Sequence, residues 1–175
     1  MGPTRWLDNE YHGSKELDSQ ADTTVLGHNC VILTYTGKGC KVSPYSDDYE
    51  LIQYVSVVTG ATVWNCPHSI EKFILLFNEA LWMEDKLDHT LVNPKQMCHH
   101  RIDVQDNPCM KNPMGITCPE EDVTIPLYMS GPIVCADTSS PTQKKWDYFP
   151  WIVLKYTHGW DPHSVCFSKR SHIEE

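Results

Sequence analysis

Asp18 and Asp22 flank the string Ser19-Gln20-Ala21, and the chain then runs through Thr23-Thr24-Val25-Leu26. A carboxylate can take or give a proton, so this loop is a place where acid–base chemistry could sit. The same string, met alone, also describes a turn or a helix N-cap, because Asp and Ser readily bond to neighbouring backbone. Its meaning depends on the elements that hold it.

Those elements read as strands. Leu17 is the one apolar residue directly before Asp18, so the strand feeding the loop is short. Residues 1–15 are polar and mixed and read as an N-terminal arm or an edge strand. Cys30 to Thr36 is rich in β-branched and aromatic residues, with Gly37-Lys38-Gly39 as a hairpin turn after it. Ser43 to Asp48 is turn chemistry. Leu51–Val58 and Ala61–Trp64 read as two strands around a turn at Thr59-Gly60. Phe73–Phe77 and Ala80–Met83 form an apolar run dense enough to be buried on both faces. Leu91 ends a short strand, and Asn93-Pro94 places proline at the start of a short helix. Ile102–Val104 is a short strand, and residues 105–120, with Pro108, Pro113 and Pro119, read as a loop. Val123–Tyr128 and Ile133–Cys135 form a hairpin around Ser130-Gly131-Pro132. Pro141–Trp146 is a helical turn, and Trp151–Tyr156 a final strand.

Bulk composition narrows the partners. With 14 Lys and Arg against 23 Asp and Glu, the formal net charge is -9, and the basic residues are scattered, which excludes a nucleic-acid binder by charge. Nine histidines make that charge less negative on mild acidification. No apolar run approaches the roughly 20 residues that span a bilayer, so no membrane partner is expected. No secretory signal is visible, so the expected location is intracellular and cytoplasmic. The 8 cysteines then read as free thiols. Cys98-His99-His100 with His89 hints at zinc, but adjacent residues cannot all face one ion, and the expectation is no metal. His158, Asp161, His163 and Cys166 form a second cluster of the same kind, on a loop around Pro162. Trp146, Trp151 and Trp160 read as core, or as a patch for a partner.

The string Leu17-Asp18-Ser19-Gln20-Ala21-Asp22-Thr23-Thr24-Val25-Leu26 resembles the active-site loop of the retropepsin family of aspartic proteases. That family has glycine where Gln20 stands. Its second landmark, two aliphatics followed by glycine and a short helix, resembles Leu91-Val92-Asn93 leading into Pro94–Met97. The stretch from Gly60-Ala61 through Phe73–Met83 to Leu87–Met97 is similar to the protease region of copia-type retrotransposon polyproteins.

The resemblance implies an all-β, retropepsin-like closed β-barrel with one short helix over residues 16–105, preceded by an arm (1–15) and followed by a β-rich C-terminal extension of unassigned role (106–175). It implies an aspartic endopeptidase acting on a polypeptide substrate as a homodimer. Asp18 and its symmetry mate would share one proton and hold a water, since two like charges that close cannot both ionise. Ser19 would brace the loop across the twofold, Ala21 would leave room for the mate's backbone, and Asp22 would contact substrate backbone. Thr59 and Gly60 would lie in a flap. No cofactor is implied. Gln20 brings the competing expectation, a degenerate copy that binds or assembles without cutting, because a bulky residue there crowds the dyad and strains the turn if φ is positive.

Overall fold

A computed structural model describes residues 12–18, 22–42 and 52–155. The expectations placed on residues 1–11, Ser19, Gln20, Ala21, the turn at Ser43–Asp48, Trp160 and the His158–Cys166 cluster lie outside the described residues.

The described residues are mostly β, with two short α-helices. β1 (His12–Leu17) and β2 (Val25–Leu26) flank the Asp18 loop, and β3 (Val31–Val42), β4 (Ile52–Asn65) and β5 (Lys72–Trp82) follow as long antiparallel strands. β6 (Thr90–Val92) leads into α1 (Pro94–His99). β7 (Asp103–Gln105), β8 (Gly115–Cys118) and β9 (Val123–Pro126) make a small antiparallel sheet. β10 (Tyr128–Ser130), β11 (Ile133–Ser139), α2 (Gln143–Tyr148) and β12 (Trp151–Lys155) complete the described residues.

Among the described residues the large sheet has nine strands, in the order β10-β11-β1-β6-β2-β5-β4-β3, with β12 added to β5. β11 also pairs with β4 at Ser139 and Val63, so the path through β1, β6, β2, β5 and β4 returns to its start.

Side-chain alternation along β5 explains how that strand is buried on both faces. Phe73, Leu75 and Phe77 enter the main core with Leu26, Trp64 and Ile152, while Ile74 and Leu76 enter a second cluster with Leu33, Ala61 and Val63. Trp146 from α2 and Phe149, the residue after it, cover that second cluster. The small sheet joins the main core through Ile116, Cys118 and Ile125.

Four expectations are corrected. First, Thr59 and Gly60 do not turn the chain: they lie inside the continuous strand β4. Gly60 is glycine for close approach, since an added Cβ would stand 2.3 Å from Leu26 Cδ1. Second, Gly37 (φ 80°) bulges β3 outward instead of ending it, with Thr36 Oγ1 donating to Val57 O at 2.8 Å. Third, the segment 105–120 contains β8, which supplies the centre of the small sheet. Fourth, the boundaries at 15 and 105 do not divide the sheet. Residues 12–15 belong to β1, which lies between β11 and β6, and β11 and β12 from the C-terminal stretch pair with β1 and β5. The short helix opening at Pro94 and the final strand stand where the pattern put them. The hairpin around Ser130-Gly131-Pro132 forms, but its first strand is only Tyr128–Ser130, because Val123–Pro126 pairs with β8 in the small sheet instead.

Candidate functional site

Asp18 follows the last residue of β1, and its N–H donates to Val92 O at 3.0 Å. β1 runs parallel to β6 with Leu17 opposite Val92. Two stretches remote in sequence, the Asp18 loop and Leu91-Val92-Asn93, are therefore direct neighbours.

The far end of the loop is held by the same element. Asn93, in extended conformation at φ −82°, caps α1: its Oδ1 accepts from the N–H of Lys95 at 2.8 Å and of Gln96 at 3.2 Å. The Asn93 N–H donates to Thr24 Oγ1 at 3.1 Å. Gln96, itself buried, accepts from the Thr24 N–H at 2.8 Å and donates to Thr23 Oγ1 at 2.8 Å. Residues 18 and 23–24 are thus stapled to one strand–helix corner. Asn93 serves here as a helix cap and not as a left-handed stand-in for glycine.

Asp18 is half-buried and faces a groove of about 570 Å³. Two further carboxylates line it, Glu16 and Asp106. Leu91, Met129, Ile133 and Val134 supply an apolar wall, with Met129 and Ile133 more than a third exposed. Glu16 and Asp18 share one face of β1 through the period of two, and Lys15 points the other way and is 3 % exposed. His89 Nε2 lies 3.3 Å from the Glu16 carboxylate and orients it.

Asp106 comes from the turn after β7. Gln105 braces that turn, donating to Asn107 O at 2.8 Å and Asn112 O at 3.2 Å, and Asn107 Oδ1 accepts from the Cys109 N–H at 2.9 Å. The groove therefore lies between the two sheets. Sequence reasoning missed Glu16 and Asp106. The period of two along a strand, counted back from Asp18, was the signal for Glu16; nothing local pointed to Asp106, which reaches the site through the small sheet.

The other expected site residues are apart from this groove. Asp22 is exposed. Thr59 donates from Oγ1 to Asn78 Oδ1 at 3.1 Å, in the middle of the sheet.

A second groove, about 500 Å³, is lined by His100, Arg101, Glu120, Glu121 and Trp151. Burial pushes the His100 imidazole below its usual range, opposed by its contact with Val153 O at 2.9 Å. Among the described residues no three His, Cys, Asp or Glu come close enough to hold a metal ion, and no helix is long and apolar enough to cross a membrane. Comparison with known proteins finds no matching family model, no similar curated protein and no similar solved structure.

Proposed function

We propose that the chain is a retropepsin-like aspartic endopeptidase, of the kind carried in copia-type retrotransposon polyproteins, working as a homodimer. The observation that carries this reading is the backbone bond from Asp18 to Val92, which sets the candidate carboxylate beside the second landmark, in the wall of the groove. The strand path that returns on itself through β11 and β4 supports a closed barrel as the scaffold. In the mechanism, Asp18 and its mate share a proton. The ionised member takes a proton from water while the protonated member polarises the peptide carbonyl. No cofactor takes part.

Gln20, where the family has glycine, favours a second reading: a module that holds peptide without cutting it. Incubation with a peptide library between about pH 4 and 7, the wild type beside Asp18→Asn, separates the two. Cleavage by the wild type alone supports the endopeptidase. Cleavage by both forms, or by neither, sinks it.

A further inference from the structure

The groove at Asp18 combines three carboxylates with an apolar wall, inside a chain whose formal net charge is -9. The carboxylates do not converge on a point, since among the described residues no three acidic or imidazole or thiol groups stand close enough for a metal ion. They are spread instead: Glu16 near the end of β1, Asp18 just after it, and Asp106 on the turn after β7. Spread charge beside an apolar wall complements an extended ligand with several separated cations, and not a single ion. β10 borders the groove through Met129, and all three of its residues are exposed. Among the described residues β10 pairs only with β11, so its outer edge can add an extended backbone.

We propose that this groove takes an extended peptide in which Lys or Arg alternates with apolar residues, Glu16 and Asp106 receiving the cationic side chains and Leu91, Met129 and Ile133 the apolar ones. The inference rests on the endopeptidase reading only in taking the groove as the place where a polypeptide lies. Complementary charge here sets selectivity and speeds encounter, because the whole acidic surface steers a cationic ligand.

The test uses full-length Asp18→Asn, so that cleavage does not deplete the ligand. Fluorescence anisotropy is measured with two labelled peptides of equal length, one alternating Lys and Leu, the other Glu and Leu. The Lys peptide should bind about tenfold or more tighter, with the gap narrowing as salt is added. Adding Glu16→Gln and Asp106→Asn should remove most of that gap. Adding Glu120→Gln and Glu121→Gln, which lowers the charge equally at the other groove, should leave it. Adding Asp106→Lys alone should move preference toward the Glu peptide, and thermal melts confirm that each variant is folded.

Equal binding of the two peptides overturns the proposal, as does the same loss from both pairs of substitutions, which would mean unspecific attraction to an acidic protein. Selective binding with no cleavage by the wild type sinks the endopeptidase and leaves this inference standing. Cleavage indifferent to charge does the reverse.

Discussion

The groove acids and the buried lysines are opposite solutions to holding a charge. Glu16 and Asp18 stand half-buried at the groove, whereas Lys15, their neighbour on β1, is 3 % exposed and donates to Asn29 O at 3.4 Å. Lys155, at the end of β12, is also buried and donates to Glu79 O. Burial depresses both lysines, and the nearby Cys30 and Glu79 offset only part of it. Groups kept at water's edge can exchange protons with a ligand; groups desolvated against a carbonyl can only hold structure or cost stability. The contrast assigns chemistry to the acids and architecture to the lysines.

The sharpest way to break that assignment is to neutralise one member of each kind. Asp18→Asn should lower peptide cleavage by a thousandfold or so, since the shared proton and the activated water are both lost. Its melting temperature should stay within a degree or two of the wild type, as for substitutions away from buried networks. Peptide hydrolysis and a thermal melt on the same samples check both halves. A large fall in stability would place Asp18 with the architectural groups and end the contrast.

The next effect belongs to Lys155, whose pKa burial lowers from 10.5 to about 8. Between those values the unfolded chain holds a proton that the folded chain lacks, so this residue makes stability rise with pH across the window. Below the folded value the cost of burying the cation is fully present, on the order of 3 kcal/mol. Lys155→Met removes that cost. Its stability advantage over the wild type should therefore be largest near neutral pH and fall by about that amount as pH climbs to the unfolded value. Urea titrations of both proteins across the window read the difference, in which the thiols and tyrosines common to both cancel. A flat difference would show that the lysine stays hydrated.

A smaller effect is expected where the groove meets the interior. Gln96 holds the loop through Thr23 and Thr24 from a buried position. Gln96→Leu keeps the volume but leaves the Thr24 N–H without its acceptor, at a cost of about 2 kcal/mol. Because the loop carries Asp18, cleavage should fall as well, with kcat reduced more than KM. Loss of stability without loss of kcat would mean that the loop is positioned from the Val92 side alone.

The legibility of the fold follows from the same contrast. Residues whose role is local could be read. Asn93-Pro94 opens α1 because a cap and a proline act within one helical turn, and β5 announced its double burial by composition. The Asp18 loop was found for its residue types. What stayed hidden depended on distant partners. Gly60 looks like a turn residue, and only the Leu26 side chain pressed against it shows why glycine is there. β8 was masked by its short length and by the prolines that flank it, Pro113 and Pro119, and Asp106 with it. Lys15 carries no local mark of burial, because what surrounds it, Asn29 and Cys30, is brought in by folding.

Glu79 allows the finest version of the comparison, because one residue engages a lysine of each kind. Its carboxylate meets Lys38 Nζ at 3.1 Å, with the Lys38 side chain 62 % exposed, and its carbonyl accepts from buried Lys155. Glu79 itself sits at φ 51° where β5 carries an extra residue opposite Val58–Gly60, so its backbone is held against its own preference. A surface ion pair such as this contributes at most about 1 kcal/mol after solvent screening and side-chain entropy are counted. Lys38→Met should therefore change stability by no more than that, and the change should vanish at high salt. Urea titrations at two salt concentrations measure it. If Lys38→Met instead cost as much as Gln96→Leu, the surface pair would be pinning the bulge, and exposure would no longer separate lysines that matter to the fold from those that do not.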